Sequence, residues 1–295
     1  MIVFFKGENQ MIPYPKIDPV LFSLGPVRVR WYGIMYVLGF IASYLLIQKQ
    51  ERSKQIGLVG TAAQDLIFYL AIGVIAGGRL GYILFYEYND LLAYIKNPLE
   101  IIATWHGGMS FHGGLIGCII AGFIFSRRRK MPFGVIADSA IVTCPVGLGL
   151  GRLGNFINGE LFGRPSNVSW AMIFPLGGNV PRHPTQLYES FAEGLLLFII
   201  MWNLRKKHFK DGMMVAFFLF FYGAFRFIIE FFREPDPQLG FFLTHSTMGL
   251  TMGQLLCSGM MVAAVILGLY LNRRNERSDE KKIKNEGIAG FHRGS

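Results

Sequence analysis

Seven stretches of this chain are apolar for long enough to be helices that cross a membrane. They run at about 32–48, 63–86, 109–126, 134–152, 187–204, 213–230 and 253–271. A crossing helix needs about 20 mostly apolar residues. The composition agrees: 52% of the 295 residues are apolar and 16% charged, with a mean hydropathy of +0.38. A soluble domain carries about 25% charged residues, and a disordered one cannot be this apolar. The 36 glycines follow no collagen-like period and fit closely packed membrane helices. Cys118, Cys144 and Cys257 all sit inside apolar runs, where a secreted-type disulfide framework makes no sense.

The net charge of +10 is distributed in blocks. KQERSK (49–54), RRRK (127–130), RKKHFK (205–210) and RRNERSDEKKIK (273–284), with the end of the tail, hold 18 of the 29 Lys and Arg. The alternate connections, 87–108, 153–186 and 231–252, hold only Lys96, Arg164, Arg182 and Arg233. Basic loops face the cytoplasm, so the alternation predicts an all-α integral membrane protein. It has seven transmembrane helices, an outside N-terminus and a cytoplasmic C-terminus. The charge is a membrane pattern, and nucleic acid is not expected as a partner. Residues 1–31 read as an extracytoplasmic lead-in, 32–271 as the membrane domain with an outer loop region at 153–186, and 272–295 as a basic cytoplasmic tail expected to be disordered. Residues 1–11 are too short and polar for a secretory signal, and Met11 is an alternative start.

Three apolar stretches contain an arginine: Arg79, Arg152 and Arg226. Each costs about 2.5–3.5 kcal/mol at a helix centre on the insertion scale, so each needs a reason to be there. Snorkelling to an interface or pairing with a carboxylate is the structural reason. A ligand is the functional one. Arg152 opens GRLGNFINGELFGR (151–164), which also brings Asn155, Asn158, Glu160, Gly163 and Arg164 to the end of an apolar helix. Tyr222, Arg226 and Glu230 are spaced i, i+4, i+8 and share one helix face. Two guanidiniums at similar depth suit a phosphate, whose oxygens match the planar fork. WHGGMSFHGGLIG (105–117) supplies His106 and His112, each before Gly-Gly. Histidine suits proton transfer near neutral pH, though a lone one near an apolar run is more often hydrogen-bonded scaffolding. RHPTQLYES (182–190) adds Arg182, His183, Gln186, Tyr188 and Glu189 at the membrane boundary, where Tyr and Arg also serve as anchors. There is no HExxH, Cys/His cluster, GxSxG elbow, phosphate loop or dinucleotide fingerprint, so no metal is expected. On residue types alone, an outer-leaflet enzyme of anionic lipids, a transporter or scramblase, and a phospholipid hydrolase all remain open.

Taken together, HGGMSFHGGLIG (106–117), GRLGNFINGELFGR, RHPTQLYE, YGAFRFIIEFFREPD (222–236) and PVRVRWYGIMY (26–36) resemble bacterial prolipoprotein diacylglyceryl transferase over about residues 12–272. The resemblance implies a seven-helix enzyme of the bacterial plasma (inner) membrane. It would move the diacylglyceryl group of phosphatidylglycerol to the lipobox cysteine of a preprolipoprotein, reached through its signal peptide, and release glycerol 1-phosphate. No cofactor is implied, and the active site faces the extracytoplasmic side. Carried over by motif, Arg152 and Arg226 become the lipid-phosphate residues. Asn155, His112 and Tyr32 join them as catalytic residues, with Glu160, Gly163, Tyr222 and Glu230 in support. His112 is the first candidate for the base that activates the substrate thiol, with Glu160 or a tyrosine as alternatives. The chain departs from the family pattern at His106, where relatives are expected to carry an acidic residue.

Overall fold

The computed structural model describes residues 12–15, 17–25, 27–104, 107–207, 209–234 and 251–291, with side chains in the last segment as far as Arg273. His106 and residues 1–11, for which the sequence offers no firm role, lie outside them, as does most of the 231–252 connection. The described chain is mostly helical and divides into two compact units, one of residues 40–143 and one formed by the N-terminal 39 residues with everything from 144 onward.

Among the described residues, four helices are long and apolar enough to cross a membrane: Trp31–Gln48, Thr61–Phe85, Thr185–Leu204 and Met252–Arg273. Phe133–Ile141 and Cys144–Asn158 make a fifth if they form one broken span. Of the seven expected stretches, the other two fall short for visible reasons. Met213–Ile229 is apolar but has only 17 residues, and Phe111–Arg129 begins at His112-Gly-Gly and ends in three arginines. The protein is thus a multi-pass, helical membrane protein.

In the 40–143 unit, the C-terminal part of α1 (Trp31–Gln48) leads to α2 (Glu51–Gln55), α3 (Thr61–Phe85), the short α4 (Leu91–Lys96) and α5 (Leu99–Ile102), then α6 (Phe111–Arg129) and α7 (Phe133–Ile141). Ile47, Leu58, Ala63, Leu66, Phe125 and Ile136 form its apolar core. The contact of α3 with α6 is built on small residues. A Cβ on Gly73, Gly77, Gly113 or Gly117 would run into the facing backbone, so glycine lets the two helices meet main chain to main chain. At one end, Gln50 Nε2 donates to the Ser139 carbonyl at 2.8 Å, and the Ser53 and Ser139 hydroxyls pair at 3.0 Å. α6 starts where a turn through Gly107 and Gly108 (φ +87° and +76°) delivers Ser110, whose hydroxyl caps the helix by accepting from the Gly113 N–H.

The other unit opens with a hairpin of β1 (Val20–Leu24) and β2 (Val27–Arg30), antiparallel with Phe22 opposite Val29. The start of α1 follows, with Gly39 against Gly147. Then come α8 (Cys144–Asn158), an irregular loop over 159–184, and α9 (Thr185–Glu189). A π-helical segment, Ser190–Leu196, joins α9 to α10 (Leu197–Leu204), and α11 (Met213–Ile229) and α12 (Met252–Phe291) complete the unit. Gly149 of α8 and Gly194 of the π-helical segment face each other so closely that a Cβ on Gly194 would lie 2.6 Å from the Gly149 Cα. Phe162 and Phe174 of the loop pack with Tyr14 and Phe156, the rings meeting edge-on, tilted or stacked at 5.1–6.2 Å. α12 does not stop at the end of its apolar stretch. Its backbone is helical as far as Phe291.

Candidate active site

The polar residues of this second unit converge on one buried carboxylate. Glu189, the last residue of α9, is fully buried. Its Oε2 lies 2.8 Å from Arg152 Nε of α8, and its Oε1 lies 2.9 Å from Arg226 Nη1 of α11 and 2.6 Å from Arg233 Nη1. Glu230, one turn after Arg226, approaches Arg226 Nη2 and Arg233 Nε at 3.4 Å each and accepts from the Thr251 hydroxyl at 3.2 Å. Glu193, one turn after Glu189, stands 3.7 Å from Arg226 and 4.0 Å from Arg152. Three arginines and three glutamates from α8, α9 and the π-helical segment, and α11 with the residues just after it, thus share one site.

Neither Arg152 nor Arg226 snorkels away from this cluster. Each side chain keeps about a fifth of its surface exposed (20% and 17%) while its inner edge is ion-paired. Burial of a charge costs several kcal/mol unless it is paired, and here the pairing is mutual. Tyr222 lies one turn before Arg226 and stacks on Phe218 at 5.6 Å.

A second, smaller network adjoins the end of α8. Asn155 and Asn158 each donate an amide N–H to Glu160 Oε1 at 2.9 Å, and the Glu160 carbonyl accepts from Gln186 Nε2 at 2.6 Å. The chain turns between them at Gly159 (φ +68°) and Leu161 (φ +57°). Gly163 pairs with Arg233 as an isolated β-bridge, and a Cβ there would come within 2.6 Å of the Thr185 methyl and 2.8 Å of the His183 Cβ. Its role is therefore close approach: it lets the loop seat the segment that carries Arg233. Tyr32, at the start of α1, lies across Gly154, and its hydroxyl shares a hydrogen bond with Tyr36 at 3.1 Å. Outside the spans, His183 Nδ1 and the Tyr188 hydroxyl share a hydrogen bond at 3.1 Å, and burial pushes this imidazole below its ordinary value, toward the neutral form.

Of the residues expected from the sequence, Arg152, Arg226 and Glu230 meet in the ion cluster, and Asn155, Glu160 and Gly163 border it through the loop. His112 belongs to the 40–143 unit. It sits exposed in the first turn of α6, edge-on to Phe111 at 5.7 Å. Arg79, in the same unit, is buried and donates to the carbonyls of Glu100, Ile101, Gly107 and Gly108, at 2.7 to 3.2 Å. That makes it a clamp on the turn leading into α6. Three members of the cluster have no site role in the sequence reading, and Glu189 appears there only among residues at the membrane boundary. Arg233 was counted only as a loop cation. Glu193 lies inside an apolar stretch, and the reasoning that singled out intramembrane arginines applies equally to an intramembrane glutamate.

Comparison with known proteins decides the family. The family described as prolipoprotein diacylglyceryl transferase matches residues 19–270. The chain belongs to this family. A relative from Geobacter sulfurreducens, named phosphatidylglycerol–prolipoprotein diacylglyceryl transferase, is 50% identical over 261 residues, covering 88% of this chain and 98% of its own. Relatives of the same name from Desulfotalea psychrophila (48% over 270 residues, 90% and 97% covered) and Pseudomonas paraeruginosa (44% over 265 residues, 90% and 97%) are similar. The matched span of this transferase family takes in α8, the loop, α9 and α11, and with them the whole ion cluster and the Asn155–Glu160 network.

Proposed function

We propose that the chain is a transferase that moves the diacylglyceryl group of phosphatidylglycerol onto the thiol of the lipobox cysteine of a preprolipoprotein, releasing glycerol 1-phosphate. The observation that carries this reading is the convergence of Arg152 and Arg226 on Glu189, within a family whose members are named for this reaction. The substrate thiolate attacks the glyceryl carbon that bears the phosphate, and the carbon–oxygen bond breaks with its electron pair going to the leaving phosphate. Negative charge grows on that phosphate. The exposed edges of Arg152 and Arg226 stabilise it and hold the lipid in line. Glu189 grips their inner edges and fixes both forks in place. The thiol, with an ordinary pKa of about 8.5, gives up its proton to a base, for which His112 is the first candidate. Asn155, held by Glu160, orients the glycerol or a phosphate oxygen, and Tyr32 lies beside the same helix.

In this reading the chain crosses a bacterial inner membrane seven times, with residues 1–31 and the 153–186 loop outside and the basic tail in the cytoplasm. The alternation of basic and charge-poor connections supports that orientation. In that orientation the phosphate site faces the side on which a secreted substrate arrives. The test is the coupling of products. Release of glycerol 1-phosphate from phosphatidylglycerol should require a lipobox peptide and match it mole for mole. Release without peptide would instead make the protein a hydrolase, and lipid movement without release would make it a transporter.

A further inference from the structure

The three carboxylates of the ion cluster are not equivalent. Glu189 receives three guanidinium contacts at 2.6–2.9 Å, and Glu230 has two at 3.4 Å plus the Thr251 hydroxyl. Glu193 has none at hydrogen-bonding distance. Its side chain is completely buried, its nearest guanidinium atoms are 3.7 and 4.0 Å away, and neither of its oxygens has a hydrogen-bond partner among the described residues. It cannot swing out to find one. It sits in the π-helical segment, and the next residue, Gly194, is pressed against Gly149 of α8. π-Helical turns of this kind recur at functional sites.

Among the described residues, the groups around Glu193 are Glu189 on its own helix, Arg152 from α8, Tyr222 and Arg226 from α11, Arg233 just beyond it, and Cys257 from α12, with Glu230 paired to Arg226 and Arg233. The cations among them are already turned toward Glu189 and Glu230. An ionised carboxylate buried without a hydrogen bond is costly, and taking up a proton removes that cost.

We propose that Glu193 holds the site's exchangeable proton, and that its neutral form is what allows the cluster to accept an anionic phosphodiester headgroup. With Glu193 protonated, three guanidiniums face two carboxylates, leaving one positive charge. A phosphodiester carries one negative charge and cancels it. With Glu193 ionised the cluster is already neutral, and an incoming phosphodiester adds one negative charge that no guanidinium is left to balance. Glu193 acts through Arg152 and Arg226 rather than on the lipid, so it is a positioning residue. The proposal rests on the reading of those two arginines as the phosphate seat.

Calorimetric titration of the full-length, detergent-solubilised protein with dioctanoyl phosphatidylglycerol across a range of pH tests it without any peptide or turnover. The wild-type affinity should weaken as pH rises, by up to about tenfold per unit once Glu193 ionises, as one linked proton requires. Glu193→Gln keeps the neutral shape and should bind with an affinity that no longer falls along that limb. Titrations of the wild type in buffers of different ionisation enthalpy give a readout independent of the variant's folding: binding should take up close to one proton on the alkaline limb and none on the acid side. A wild-type slope retained in Glu193→Gln, or no proton uptake at any pH, would overturn the role of Glu193 alone. No binding of the lipid by the wild type at any pH would remove the phosphate seat beneath it as well.

Discussion

Replacing Glu189 by Gln is the sharpest single perturbation of the cluster. The amide has the carboxylate's shape, so no cavity forms. It has lost the charge that three guanidiniums share, and one of its two heads is now a donor. If the NH2 faces Arg152 it opposes a guanidinium 2.8 Å away; if it faces the other side it opposes Arg226 and Arg233 at 2.9 and 2.6 Å. Either rotamer sets donor against donor. Breaking a buried ion pair by removing one partner costs about 3–5 kcal/mol. Because Arg152 and Arg226 are partly exposed, the low end applies, about 3 kcal/mol. At roughly 2–4 °C per kcal/mol, thermal unfolding in detergent, followed by tryptophan fluorescence, should drop by about 6–12 °C. Diacylglyceryl transfer should fall with it, because both forks lose their anchor. A Glu189→Gln protein that unfolds at the wild-type temperature and turns over normally would refute the account of Glu189 as the hub.

Arg152→Lys and Arg226→Lys should insert and fold yet lose at least about 99% of transfer activity, since a single ammonium cannot hold Glu189 and a phosphate through one planar fork; the check is turnover measured beside unfolding temperature, and near-normal turnover would count against the phosphate assignment. Gly117→Val should destabilise by about 1–3 kcal/mol through overpacking, because even its Cβ would lie 2.9 Å from the Gly77 Cα, whereas Gly259→Ala, with open space at its Cβ, should unfold near the wild-type temperature. Replacing Cys118 and Cys144 by Ser and Cys257 by Ala should leave transfer within about twofold, since none of the three is in a disulfide and the proposed reaction uses the substrate's thiol; abolished transfer in a folded triple variant would contradict that chemistry. His183→Asn should flatten the decline of stability on acidification. Burial lowers this imidazole in the fold, so the unfolded chain binds the proton first and stability falls as pH drops through the ordinary histidine range, a slope that unfolding temperatures at stepped pH will show.

The helical, multi-pass membrane character was legible because apolar length is local along the chain, and so were the arginines, which are expensive wherever an apolar helix holds them. Their partners were harder to see. Glu189 follows a boundary tyrosine and read as an anchor, and Arg233 read as one cation among few in an outer loop. Both join Arg152 only after the 159–184 loop brings separate helices together, a long-range contact with no period to betray it. Glu193 was visible in principle: a carboxylate inside the 187–204 stretch carries the same penalty as Arg152. A carboxylate repels a phosphate, so beside the arginines its position in the sequence suggests no ligand role. The π-helical segment has no sequence signal at all. It arises where Gly194 and Gly149 let α8 and the neighbouring helix meet main chain to main chain. Arg79 shows the reverse case: an intramembrane arginine whose donors are spent on four carbonyls, and whose work is to shape the entry to α6.

The central claim is the transfer of diacylglyceryl to a thiol, and mass spectrometry of a lipobox peptide tests it most directly. Purified protein would be incubated in detergent with phosphatidylglycerol and a synthetic lipobox peptide, beside a second peptide whose cysteine is serine. The account predicts a diacylglyceryl adduct on the cysteine of the first peptide and none on the second. A folded protein that binds phosphatidylglycerol and leaves both peptides unmodified would contradict it.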